Sequence, residues 1–112
     1  MGLTNTPPDL LPGTLDLLIL RALVSGPLHG YAIVQRLRLI SQDVLQVGES
    51  SLYPALQRLL HNGWATASWG PSENNRRARF YTLTAAGRKR LAVERAEFER
   101  LIDAITRVLR EA

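Results

Sequence analysis

Few side chains in this chain could do covalent chemistry. Ser51, His61 and Glu49 come nearest to a nucleophile, a base and an orienting acid. All three fall on one predicted helix, however. Ten residues separate Ser51 from His61, about 15 Å of helical rise. A nucleophile and its base must lie within about 3 Å. No glycine-rich phosphate loop is present either. The two histidines, His29 and His61, are far apart, and there is no cysteine. Thiolate zinc sites, disulfides and thiol redox sensing are thereby excluded. No enzyme, metal site or cofactor is expected.

What remains is the chemistry of binding. Arg76, Arg77 and Arg79 cluster behind Asn74 and Asn75, and they alternate with Ala78 and Phe80. Some twenty residues earlier lies Glu49-Ser-Ser-Leu-Tyr-Pro-Ala-Leu-Gln-Arg-Leu-Leu-His-Asn-Gly63. Leu52, Leu56, Leu59 and Leu60 make one apolar face of a 3.6-residue period. Ser50, Tyr53, Gln57, Arg58 and His61 occupy the other face. Proline lacks an N–H, so Pro54 belongs in the first helical turn. Ser51 as N-cap would place it there, and Gly63 would end the helix. A polar, partly aromatic helix followed by an arginine cluster suits a polyanion. Two plainer explanations compete. Amphipathic helices are usually packing units, and charged edge strands also guard against aggregation.

The charge distribution suits a polyanion partner, and it suits an ordinary soluble surface as well. The net charge is +4 over 112 residues. Residues 1–47 are neutral, whereas residues 48–83 and 84–112 each carry +2. The excess therefore begins at the polar helix. With 46% hydrophobic residues a real core is available, and the length suits one domain. The longest apolar block, Leu15 to Leu23, is broken by Asp16 and Arg21. It is far short of the roughly 18 residues of a membrane span. No basic start with an apolar run marks a signal peptide. A cytoplasmic protein with no membrane partner is expected.

These binding residues need elements to hold them. Residues 1–12 contain Pro7, Pro8 and Pro12 and are expected to form a flexible arm. Thr14 is the expected N-cap of a first helix that is apolar on most sides, and Ser25-Gly26-Pro27 ends it. A second helix starts at His29-Gly30-Tyr31 and runs to about Ser41. Its core stripe is Tyr31 or Ala32, Ile33, Leu37 and Ile40. Val44, Leu45 and Val47 are expected to form a short strand before the polar helix. Trp64–Trp69 and Arg76–Leu83 are strand-like, around a tip of turn residues at 70–75. That makes a hairpin with arginines at its base. Thr84 caps a last helix of about 27 residues, long by ordinary standards.

The order helix, helix, helix, hairpin, long helix predicts a mostly α protein with a small β-hairpin wing (α+β). It is a winged helix-turn-helix over residues 13–83, with a C-terminal dimerisation helix over 84–112. In that design the third helix enters the major groove of double-stranded DNA and the wing touches the backbone or minor groove. On the last helix Leu91, Phe98 and Ile105 recur at sevens, with Leu101, Ile102 and Val108 beside them. Such spacing suggests a coiled-coil-like contact. Leu15 and Leu18 of the first helix are expected to join that homodimer face.

The chain also resembles the PadR-like transcriptional regulators over nearly its whole length. The resemblance rests on Leu11-Pro-Gly-Thr-Leu-Asp-Leu-Leu-Ile-Leu20, His29-Gly-Tyr31, Ser51-Leu-Tyr-Pro-Ala-Leu56, Gly63-Trp64, Asn74-Asn-Arg-Arg77 and Tyr81-Thr-Leu-Thr-Ala-Ala-Gly87. It implies a homodimeric repressor whose C-terminal helix pairs with that of its mate and with the mate's first helix. It implies DNA contacts at Ser50, Ser51, Tyr53, Arg76, Arg77, Arg79 and Tyr31; the two-fold axis of such a dimer predicts an inverted-repeat operator. Some relatives sense phenolic acids or flat aromatic drugs near the dimer interface, so a small-molecule effector of unknown identity joins the expected partners. Relatives that bind drugs use tryptophan on the last helix. Here Phe98 is the aromatic residue there, which argues against a stacking pocket. The alternative to a regulator is a winged-helix protein–protein adaptor without sequence-specific DNA binding, which the low charge of the third helix slightly favours and the arginine cluster of the wing argues against.

Overall fold

The computed structural model describes residue 10 and residues 13–111. The expected arm at 1–12 lies outside the described residues, apart from Leu10, which packs against the core. Gly13 adopts a left-handed conformation (φ 86°) and starts α1, Thr14–Ala22. Thr14 is therefore the first helical residue and not the N-cap. No side chain caps this end; glycine makes the turn because it lacks a Cβ. Leu15, Ile19, Leu20 and Ala22 are buried. α1 touches α2 (Gly30–Ile40), α3 (Glu49–His61) and α4 (Ala85–Arg110). That is why it is apolar on more than one side. Leu15, expected at a dimer face, is taken up by the chain's own core for the same reason.

A 3-10 turn, Leu23–Ser25, leads to β1, Leu28–His29. Two residues are too few for periodicity to reveal this strand. The strand expected at Val44–Val47 does not form. Gln42 and Asp43 are both left-handed (φ 55° and 67°). Asp43 holds that turn twice. Its N–H donates to the Arg38 carbonyl at 2.8 Å, and its Oδ1 accepts from Arg38 Nε at 2.8 Å. In α2 Ile33 and Leu37 are buried, whereas Tyr31 and Ile40 point outward.

α3 begins earlier than expected. Gly48 is its N-cap, and the Leu52 N–H already donates to the Gly48 carbonyl at 2.9 Å. Pro54 consequently sits in the second turn and not the first. Its missing N–H would have served the Ser50 carbonyl, and both residues are exposed. Water can therefore satisfy that carbonyl, which removes one of the two costs of an interior proline. The helix buries Leu52, Ala55, Leu56 and Leu59. Gly63 (φ 74°) ends it as expected. The Trp64 N–H donates to Leu59 and the Gly63 N–H to Leu60, which is a Schellman turn.

β2 (Ala65–Pro71) and β3 (Arg77–Leu83) form the hairpin, and β1 adds to β3 in the order β1-β3-β2, all antiparallel. The tip is 72–76 and not 70–75. Ser72 and Asn75 close it: the Ser72 N–H and Oγ both donate to the Arg76 carbonyl, at 2.7 and 2.9 Å, and Asn75 is left-handed. Gly70 and Pro71 remain in the ladder, where β2 is an edge strand that tolerates proline. Arg76 and Arg77 thus stand at the tip end of the wing, not at its base.

Thr84 caps α4 as expected. Its Oγ1 accepts from the Gly87 N–H at 3.0 Å and donates to the Gly63 carbonyl at 2.7 Å. Gly87 lies so close to the Trp64 carbonyl oxygen that a Cβ would meet it at 2.1 Å. This glycine lets α4 seat on the turn after α3. Beyond Leu91 the helix runs largely exposed.

Candidate nucleic-acid interface

The cleft between α3 and the wing brings together Tyr31, Tyr53, Gln57, Arg77 and Arg79 of the predicted binding residues. It begins at the start of α2. His29 is the N-cap, its Nδ1 accepting from the Ala32 N–H at 3.1 Å. Gly30 is buried against α3: a Cβ there would lie 3.3 Å from Leu52 and 3.6 Å from the Tyr53 hydroxyl. A Cβ there would press on the Leu52 side chain and touch the Tyr53 ring at ordinary van der Waals distance. Tyr53 therefore leans on the end of α2 while 48% of it stays exposed. Tyr31 is more exposed still, and its hydroxyl accepts from Gln35 Nε2 at 2.6 Å.

The strand register supplies the other wall. Trp69 pairs with Arg79, Ala67 with Tyr81 and Ala65 with Leu83. Directly paired residues share a face of the sheet. That face is core at its base, where Ala65 and Tyr81 are buried. Towards the tip it becomes Trp69, Arg79 and Arg77. The Arg77 guanidinium lies 5.7 Å from the Trp69 ring centre, and Arg79 lies 5.7 Å from that of Tyr81. Both distances suit cation–π contact. Tyr31, Tyr53, Gln57, Trp69, Arg77 and Arg79 line an open cleft of about 440 Å³ with Tyr81 at its floor. Hydroxyl, amide and guanidinium groups converge there on aromatic surface. That combination can meet phosphate, sugar and base edges together.

Not every predicted residue joins the cleft. Ser50 and Ser51 are exposed in the first turn of α3, outside it. Asn74, Asn75 and Arg76 are exposed at the wing tip, where Asn75 makes the turn. Arg58 is engaged elsewhere. Its Nε and Nη2 reach both carboxylate oxygens of Asp16 on α1, at 3.0 and 2.7 Å. Hydrogen bonding to Asp16 raises its pKa further, against a smaller desolvation effect. Arg58 ties α3 to α1. Trp69 is the residue that sequence reasoning missed. Its exposure of 60% is unusual for tryptophan in a strand. The available signal was the period-two run Arg77, Arg79, Tyr81, but the facing strand could be placed only with the register known.

On α4, Leu101, Ile102, Ile105 and Val108 are exposed, as are Val93 and Leu109. Phe98 and Leu91 are half-buried, and Leu18 and Leu91 pack against the core. Gly13, Thr14 and Leu17 of α1 border an open groove with Phe98, Leu101 and Ala104 of α4. Among the described residues no cluster of three potential metal ligands occurs, and no helix is long and apolar enough to cross a membrane.

A family model described as the transcriptional regulator PadR-like family matches residues 19–93. An uncharacterised protein of Lysinibacillus sphaericus is 30% identical over 98 residues, covering 85% of this chain and 90% of that protein. A transcriptional regulator from Clostridium thermocellum has a similar structure, with a TM-score of 0.77 and 29% identity, over 85% of this chain and 92% of that one. A PadR family transcriptional regulator from Eggerthella lenta superposes with a TM-score of 0.74 and 27% identity, over 89% of this chain and 85% of that one.

Proposed function

We propose a homodimeric repressor that reads an inverted-repeat operator, since the chain belongs to the PadR-like family of transcriptional regulators. The observation that carries this reading is the shared cleft of Tyr31, Tyr53 and Gln57 with Arg77 and Arg79. It joins the polar side of α3 to the wing on one surface. In the complex α3 lies in the major groove, with Tyr53 and Gln57 towards base edges and Ser50 and Ser51 towards the backbone. Arg77, Arg79 and Trp69 meet the adjacent backbone or minor groove, with Asn74, Asn75 and Arg76 beyond them. Arg58 keeps α3 in place and makes no DNA contact. Residues 13–83 are the DNA-binding unit and residues 84–112 the dimerisation helix. The second copy covers the exposed aliphatic side of α4.

A dimer with a two-fold axis presents two α3 helices to two inverted half-sites, about one helical turn apart or a multiple of it. Footprinting on the DNA upstream of the protein's own gene tests this. The expected result is protection of two symmetric half-sites. A strong footprint on one unrepeated site would overturn the symmetric reading. Binding to random duplex should fall steeply with salt, whereas a protein–protein adaptor would show almost no slope.

A further inference from the structure

We propose that His29 and Glu73 form a brace that positions the wing for DNA; its role rests on the DNA-binding reading above. His29 is a buried polar residue on β1. Because Nδ1 accepts the Ala32 N–H, the ring proton resides on Nε2. Nε2 then donates to Glu73 Oε1, 3.2 Å away at the wing tip. The ring is held from other sides as well. Phe80 meets it edge-on at 5.4 Å, and Tyr31 lies roughly parallel at 6.5 Å between ring centres. One side chain therefore caps α2 and grips a residue 44 positions further along the chain.

The wing needs such a hold. β1 pairs only with Phe80 and Tyr81 of β3. Arg77, Ala78 and Arg79 have no third strand beside them. A two-stranded ribbon is marginally stable by itself, so its outer half can swing relative to α3. Glu73 fastens that half to the end of α2, against which Tyr53 also leans. Its carboxyl is held below the usual carboxylate range, first by its own backbone N–H and then by His29. It is thus an anion at neutral pH. With 70% of its side chain exposed, the bond adds little to global stability. Its effect falls on where Arg77 and Arg79 stand.

An acid beside arginines could instead be a bystander that merely repels phosphate. The two roles separate experimentally. Glu73→Ala and Glu73→Gln both remove the charge, but only glutamine still offers an oxygen to His29 Nε2. A bystander predicts that both variants bind DNA more tightly than wild type and equally well. The brace predicts that Glu73→Ala binds operator about 3- to 10-fold more weakly than Glu73→Gln, the scale of one hydrogen bond. It also predicts a shallower salt slope for Glu73→Ala, as a wing phosphate contact is lost. Melting temperatures should match, which a merely structural role would not give. In a His29→Asn background, where asparagine can cap α2 but not reach Glu73, the two variants should converge.

The measurements are fluorescence-anisotropy salt titrations on operator and scrambled duplexes. Long-range proton–nitrogen NMR spectra of the free dimer or monomer complement them. The spectra should show His29 protonated at Nε2 and not Nδ1, with Nε2–H shifted further in Glu73→Ala than in Glu73→Gln. Equal binding by the two variants, or a proton on Nδ1, overturns the brace. Absence of salt-dependent binding by the wild type would overturn the DNA-binding reading instead, and the spectra, recorded without DNA, would then decide the brace by themselves.

Discussion

Among the described residues, α4 and the wing side both expose large apolar side chains, and the two surfaces differ in kind. On α4 the exposed residues are aliphatic: Leu101, Ile102, Ile105, Leu109 and Val108, the last 71% exposed. On the wing side they are Tyr31, Tyr53 and Trp69, with Arg77 placed over Trp69. An aliphatic surface gains free energy only by leaving water against another apolar surface. A hydroxyl- and indole-bearing surface edged with guanidinium groups can stay hydrated, or it can meet a charged, stacked polymer. The same degree of exposure therefore fits the two partners proposed above, a second copy of the chain at α4 and a duplex at the cleft.

Substitutions can break this contrast or sharpen it. The largest effect is expected from Ile105→Glu. Placing a carboxylate in the seam should cost several kcal/mol of assembly. Sedimentation velocity should then show monomer, with the circular dichroism of the fold retained. A wild type already monomeric at micromolar concentration would mean that the aliphatic face has no such partner, and the contrast would collapse. Tyr53→Ala comes next. It should lose roughly 1–3 kcal/mol on operator and little on scrambled DNA. Because Tyr53 also leans on Gly30, circular dichroism must first show a native fold.

Arg77→Ala should act differently from Tyr53→Ala. Removing a phosphate contact weakens operator and random DNA together and reduces the salt slope by about one ion. If Arg77→Ala collapses the specificity ratio and Tyr53→Ala leaves it intact, reader and anchor are reversed. The smallest effect is expected from Arg58→Ala. Its pair with Asp16 is half open to water, with side-chain exposures of 52% and 16%. Stability should therefore fall by about 1 kcal/mol or less. The salt slope of DNA binding should not change. A slope reduced as much as in Arg77→Ala would place Arg58 back among the DNA contacts. A double-mutant cycle with Asp16→Ala isolates the pair.

Much of the fold was legible because its signals are local. His29-Gly30 and Thr84 start helices through a side chain that accepts an N–H three residues on. Gly63 stops a helix because only glycine enters the left-handed region freely. The Leu52, Leu56, Leu59 stripe reports its buried face through the period of the helix itself. The early start of α3 was hidden, because the solvent exposure that makes Pro54 tolerable is not a local property.

The site was legible in composition but not in geometry. A wing tip at 70–75 would have set Trp69 opposite Arg76. The observed tip at 72–76 sets it opposite Arg79. The register differs by an odd number of residues, and an odd slip turns a strand's side chains to the other face. Which face Trp69 shares was therefore decided by the closing of one turn. Arg58 had a choice of partners that no spacing rule ranks, and Asp16, 42 residues earlier, was brought beside it by helix packing. Residue types, caps and periods act over a few positions, so the chain alone determined the order of its elements and the chemistry they carry. Pairing across tens of residues depends on which surfaces meet, so tertiary structure alone decided that Trp69 enters the cleft, that Arg58 leaves it, and that His29 reaches the wing.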